Sequence, residues 1–154
     1  MEILVMSRDQ AAFFEHNEPY AIIGINDKYS REIEYVDSQY LVDKLIVEFD
    51  DIMKPIKNMV LFNWKIARKI WDFVDEVHDD IDLLMVHCNA GVSRSAAVAA
   101  AISKTYNGHC TEYVYWYCPN PHVYKVMMAN LNHTTEYEAL KNLHVPNYSG
   151  GSLI

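Results

Sequence analysis

The stretch Val86-His87-Cys88-Asn89-Ala90-Gly91-Val92-Ser93-Arg94-Ser95 lies where a short apolar run ends and an alanine-rich segment begins. Before it, Leu83 to His87 is short and apolar enough for a buried strand. After it, Ser95 to Tyr106 is rich in Ala, the best helix former, and Asn107-Gly108 supplies a stop. Further strand-like runs occur at Glu2 to Met6, Tyr20 to Ile25 and Lys44 to Phe49. Between the third and fourth runs, Ile66, Ile70, Phe73, Val74 and Val77 recur at helical spacing, opposite Lys65, Arg68, Lys69, Asp72 and Asp75. Thr111 predicts the cap of a further helix. Asn120-Pro121 reads as a cap followed by proline at the first helical position, opening a helix to about Leu131. Another helix is predicted over Thr135 to Leu143. This order predicts an α/β fold: a central, mostly parallel sheet of four to five strands, helices on both faces, and a helical C-terminal third.

A chain of 154 residues fits one domain with its own core. Residues 1–146 are expected to form it, with a mobile tail over 147–154. With 51% hydrophobic and 22% charged residues, disordered and low-complexity classes are excluded. The formal net charge of −8 argues against a nucleic-acid or anionic-membrane binder, since no basic run offsets it. No apolar stretch approaches the roughly 18 residues that span a bilayer, and the first residues lack a basic leader. A cytoplasmic protein is the expectation. Three cysteines, Cys88, Cys110 and Cys118, fit neither a disulfide framework nor a zinc site, and seven histidines show no HExxH spacing. Neither metal nor cofactor is expected.

The chemistry concentrates between Cys88 and Ser95. Backbone N–H groups of a tight turn and of a helix N-terminus form an anion site, and Gly91 permits a backbone shape that other residues resist. A cysteine opening such a loop has its thiolate stabilised by the same dipoles, which brings its pKa from about 8.5 into a range of roughly 3.5–7.5. The guanidinium of Arg94 can bind two oxygens of a phosphoryl group and follow the charge that spreads in the transition state. Nucleophile, oxyanion cradle and arginine clamp together point to phosphoryl transfer through a cysteinyl-phosphate. The nucleotide-binding pattern GxxxxGK[ST] is absent.

The motif HCxxGxSRS, with its five fixed residue types, resembles the signature of the cysteine-dependent protein tyrosine phosphatase superfamily. Its dual-specificity branch is the most similar. Chance alone would produce it about once in ten million starting positions. The resemblance is specific across residues 83–102 and implies a phosphatase catalytic domain. It further implies that Ser95 stabilises the Cys88 thiolate as a leaving group and that His87 orients the loop. Asn89, Ala90, Gly91, Val92 and Ser93 would offer backbone N–H groups to phosphate beside Arg94. A general acid upstream of the loop is also implied. Glu48-Phe49-Asp50-Asp51-Ile52 follows the third strand, so Asp50 and Asp51 are both candidates; the resemblance selects Asp51, with Asp50 as the alternative.

The implied function is hydrolysis of phosphoprotein monoesters, phosphotyrosine and also phosphoserine or phosphothreonine, with phosphorylated proteins or peptides as partners; the sequence leaves the oligomeric state open, a monomer being favoured. Alternatives in the same superfamily act on RNA 5′-phosphate or phosphoinositide; a different class is a catalytically silent phosphate-binding module. The bland reading of Cys88 is a small buried hydrophobe, against which Gly91 and Arg94 in register weigh. That reading suits Cys110 and Cys118. Tyr113, Tyr115, Tyr117 and Tyr124 are expected to pack between helices rather than to form an aromatic lip. The loop from Asn26 to Gln39, carrying Lys28 and Arg31, borders the pocket only as a weaker expectation.

Overall fold

The computed structural model describes residues 1–132. Four strands, β1 (Glu2–Ser7), β2 (Tyr20–Asn26), β3 (Leu41–Glu48) and β4 (Leu83–Cys88), form one sheet in the order β1-β4-β2-β3. Every pairing is parallel. Five helices complete the described chain: α1 (Arg8–Ala12), α2 (Trp64–Val77), α3 (Arg94–Tyr106), α4 (Thr111–Trp116) and α5 (Pro121–Asn132). Central strands β2 and β4 are buried along almost their whole length, as near-continuous apolar runs in a parallel sheet should be. Edge strand β3 is largely exposed and begins at Leu41, three residues before the apolar run that marks it in sequence.

Period-2 alternation divides the core into two layers. Ile3, Ala21, Ile23, Ile25, Val47, Leu84 and Val86 face the helical layer, where Ile70, Trp71 and Val74 of α2 meet Val98 and Ile102 of α3 and Met127 of α5. The indole N–H of Trp71 donates to the Met127 carbonyl at 2.9 Å, which ties α2 to α5. In α3 every residue from Arg94 to Ser103 is buried, and its alanines allow the helix to lie close on the sheet. The other face carries Tyr20, Ile22, Leu83 and Met85 under Ala11, Phe14, Tyr35 and Tyr40. Helices therefore flank both faces unequally. The second is covered by the short α1 and by the segment between β2 and β3, because neither connection there has room for a long helix.

Helix α1 is absent from the sequence reading because five residues show no periodicity. Its signal is a capping box: Gln10 N–H donates to Ser7 Oγ at 3.2 Å and Ser7 N–H to Gln10 Oε1 at 2.9 Å. Asn107 ends α3 and Gly108 follows at φ +82°, as Asn107-Gly108 predicts. Asn120 caps α5, its Oδ1 accepting from the N–H groups of His122 and Val123. Thr111 is a correction: it is the first residue of α4, and Cys110 occupies the cap position without a side-chain bond to the helix's N–H groups. Among the tyrosines, Tyr113 and Tyr124 are buried whereas Tyr115 is 81% exposed, so packing accounts for only part of that cluster. The expected helix over 135–143, the domain end at 146 and the tail over 147–154 lie outside the described residues. No helix among the described residues is long and apolar enough to cross a membrane.

Candidate active site

A parallel sheet brings all its C-terminal strand ends to one edge, and here that edge collects Ser7, Asn26, Glu48 and Cys88. Cys88 ends β4 and Arg94 opens α3, so residues 89–93 must turn through one tight loop between them. Gly91 makes that turn possible in two ways. Its φ is +69°, and a Cβ there would lie 2.5 Å from the backbone of Met6 and Ser7. The loop thus rests directly on the end of β1. Asn89, Ala90 and Val92 are exposed at the rim, Ser93 is half-buried, and Gly91 is buried beneath them.

Cys88 is buried, and burial alone would raise its pKa; the hydrogen bonds that converge on the sulfur outweigh it and hold the thiol below its ordinary value. The donors are the Ser95 hydroxyl, at 3.0 Å from Sγ, and the backbone N–H groups of Ser95, Gly91 and Val92. Stabilising the thiolate in this way favours the deprotonated, nucleophilic form of the sulfur. Ser93 occupies the cap position of α3 yet makes no side-chain cap bond. Its hydroxyl donates instead to Asp51 Oδ1 at 2.9 Å. The first turn of α3 thus has no side-chain cap, and its Ser95 N–H points at the Cys88 sulfur.

Arg94 is 5% exposed. Its Nη1 donates to the Phe49 carbonyl at 2.8 Å, just past β3, and Nη2 lies 3.8 Å from Asp27 Oδ2, just past β2. Nε has no hydrogen-bond partner among the described residues. The anchored Nη1 fixes the plane of the guanidinium, and the Nε–Nη2 edge is the side suited to grip two phosphoryl oxygens.

The two candidate acids differ in surroundings. Asp50 is built into its own loop: Oδ2 accepts from Val60 N–H at 2.6 Å, and its N–H donates to the Val60 carbonyl at 2.8 Å. Asp51 faces the Cys88 loop, with Oδ1 accepting from Ser93 Oγ and from Asn120 Nδ2 at 2.8 Å. Asn120 connects several parts. It donates to the Ile52 carbonyl at 3.2 Å, caps α5, and sends its backbone N–H to the Ser93 carbonyl at 3.1 Å. In sequence Asn120 reads only as a cap; its link to Asp51 depends on folding across 69 positions and has no local signal.

His87 is fully buried on the opposite face from Cys88. Its Nε2 lies 2.6 Å from the Tyr35 hydroxyl. Burial, reinforced by the charge of Arg8, lowers its pKa to about 4, so the ring is neutral at neutral pH. Burial pushes Tyr35 up to about 12. Gly24 makes room for the pair, since a Cβ there would lie 2.7 Å from Tyr35 Oη and 2.8 Å from His87 Nε2. The segment after β2 therefore borders the site through Asp27 and Tyr35, which the sequence reading did not single out. Cys110 is buried and Cys118 exposed; the backbone N–H of Cys118 donates to the Val92 carbonyl at 3.1 Å, bracing the loop from outside.

No family model and no curated protein sequence matches the chain. Solved structures do match. A human tyrosine phosphatase-like serine/threonine/tyrosine-interacting protein is 21% identical with a TM-score of 0.61, over 90% of this chain and 92% of that one. Human DUSP28 is 17% identical with a TM-score of 0.60, over 90% and 93%. PTPMT1 in complex with PI(5)P is 16% identical with a TM-score of 0.56, over 91% and 93%. The parallel four-stranded sheet, its helical layer and the cysteine loop at its C-terminal edge give this chain the fold of the dual-specificity-like branch of the cysteine-dependent phosphatases.

Proposed function

We propose that the chain is a phosphatase that hydrolyses phosphoprotein monoesters, phosphotyrosine together with phosphoserine or phosphothreonine, through a cysteinyl-phosphate and without a metal. The observation that carries this reading is the convergence of four donors on Cys88 Sγ in the same loop as Arg94, whose buried Nε has no hydrogen-bond partner among the described residues. In the first step the thiolate attacks phosphorus and the bond to the leaving oxygen breaks. Arg94 and the amides of residues 89–93 stabilise the equatorial oxygens. Asp51 gives its proton to the leaving oxygen. In the second step water attacks phosphorus, Asp51 takes the proton, and the P–S bond breaks to release inorganic phosphate and the thiolate, which Ser95 stabilises. Asp51 is the better acid than Asp50 because Asp50 is occupied in closing its loop, whereas Asp51 is hydrogen-bonded to the rim residue Ser93.

A phosphoinositide substrate is a second reading, favoured by the likeness to PTPMT1, whose structure holds PI(5)P. The loop Asn89-Ala90-Gly91-Val92-Ser93 contains no lysine for additional phosphates, which supports the phosphoprotein reading instead. The test is hydrolysis of para-nitrophenyl phosphate in EDTA, followed by phosphopeptide and phosphoinositide panels. Activity that survives EDTA, is highest below neutral pH and vanishes in Cys88→Ser supports the proposal. Folded protein that binds phosphate without turnover would make it a binding module.

A further inference from the structure

Two guanidinium groups lie at this edge of the sheet, and the mechanism above uses the buried one. The other belongs to Arg8, the first residue of α1. Parallel register carries the chain from Ser7, opposite Cys88, to Arg8 beside Asn89, and the Arg8 N–H donates to the Asn89 carbonyl at 3.1 Å. Its Nη1 then donates to Asn26 Oδ1 at 2.7 Å, at the end of β2. Since β4 lies between β1 and β2, the side chain must span the exit of β4, immediately behind the Cys88 loop. The next residue after Asn26 is Asp27, which faces the Nη2 of Arg94. One arginine from each side thus holds the exit of β2.

The charge of Arg8 lacks a local counterpart. Nη2 is enclosed with no hydrogen-bond partner, and no carboxylate pairs with this guanidinium among the described residues. Enclosing an unpaired cation is costly unless negative charge is placed within its field. That field reaches the residue preceding Cys88, where it acts on both His87 and Tyr35. The loop whose first peptide Arg8 holds is where negative charge would gather during turnover, through the thiolate and a bound phosphoryl group.

We infer that Arg8 is a positioning residue of the phosphate site: it fixes the first peptide of the Cys88 loop and the exit of β2, and supplies a fixed positive charge behind the loop for the bound dianion. This rests on the reading of the loop as a phosphate site. It goes beyond that reading in assigning to a residue outside the motif part of the anion affinity.

The experiment compares tungstate binding by calorimetry, and kcat and KM on para-nitrophenyl phosphate, in the wild type, Arg8→Met, Arg8→Lys and Asn26→Ala, each checked by thermal melting. In Arg8→Met, tungstate binding weakens by about 10-fold or more, the scale of one lost charged contact, and KM rises. Arg8→Lys restores most of the affinity because it restores the charge. A folded Arg8→Met that binds tungstate within about two-fold of wild type overturns the inference, as does Arg8→Lys binding no better than Arg8→Met. Should Arg8→Met fail to fold, Asn26→Ala decides, since it leaves the arginine and removes its anchor: several-fold weaker binding supports the role and unchanged binding overturns it. Wild type that binds tungstate without turnover defeats the phosphatase reading alone; wild type that binds none defeats both.

Discussion

Replacing Ser95 by Ala removes one of the donors around the Cys88 sulfur and leaves the backbone N–H groups of Ser95, Gly91 and Val92 in place. Cys88 is 2% exposed, so water does not take over the lost bond. A hydrogen bond to a charged group contributes about 1.5–3 kcal/mol, which at 1.36 kcal/mol per unit raises the thiol pKa by about 1–2 units. Alkylation by iodoacetamide across a pH series measures this directly. Below both pKa values the thiolate fraction drops about 10- to 100-fold, but a more basic thiolate is intrinsically more nucleophilic, with a Brønsted slope of about 0.45. The net alkylation rate therefore falls only about 3- to 13-fold at low pH and rises about 3- to 8-fold at pH values above both midpoints. The two pH–rate curves must cross. Parallel curves with a shared midpoint would refute the assignment of the depressed pKa to this hydrogen bond. The same loss makes Cys88 a poorer leaving group in the second step, so phosphoenzyme should accumulate in Ser95→Ala.

Asn120→Asp keeps the oxygen that caps α5 and replaces the amide donor to Asp51 with a repelling carboxylate; turnover should drop by up to about 10²-fold, the scale of a displaced catalytic group, with little change in melting temperature. Asp51→Asn should slow hydrolysis by about 10²–10⁴-fold while Asp50→Asn mainly lowers stability; the opposite pattern would assign the acid to Asp50. Gly91→Ala places a Cβ against the Met6–Ser7 backbone at positive φ, and should cost about 1–2 kcal/mol in backbone strain alone and abolish tungstate binding. For His87, a pKa lowered from 6.5 to about 4 means that the unfolded chain takes up a proton first as pH falls. Stability from this group is therefore retained above pH 6.5 and lost, by about 3 kcal/mol, between 6.5 and about 4. Denaturant titrations of wild type and His87→Gln should show that acid-side loss in the former only.

What the sequence made legible was local. The strand, loop and helix around Cys88 announce themselves by an apolar run, a glycine and an alanine-rich stretch, each acting within a few residues. Asn120-Pro121 and Asn107-Gly108 likewise carry their capping chemistry in adjacent positions. The remaining parts of the site depend on tertiary register. Asp27 and Arg8 flank the loop only because β1, β4 and β2 are neighbours in the sheet, and Tyr35 meets His87 only because Gly24 opens a gap in β2. Asn120 illustrates both: its oxygen serves the helix beside it, while its amide serves Asp51. Helix α1, too short to show a period, was signalled only by Ser7 and Gln10.

The central claim is that Cys88 carries the phosphoryl group during turnover. It is tested most directly by mixing Ser95→Ala with phosphotyrosine peptide, quenching rapidly in acid, and locating the added phosphoryl mass by peptide mass spectrometry. The account predicts one phosphoryl group on Cys88, formed within the first turnover and absent from Cys88→Ser. A phosphoryl group on another residue, or hydrolysis that persists in Cys88→Ser, would contradict it.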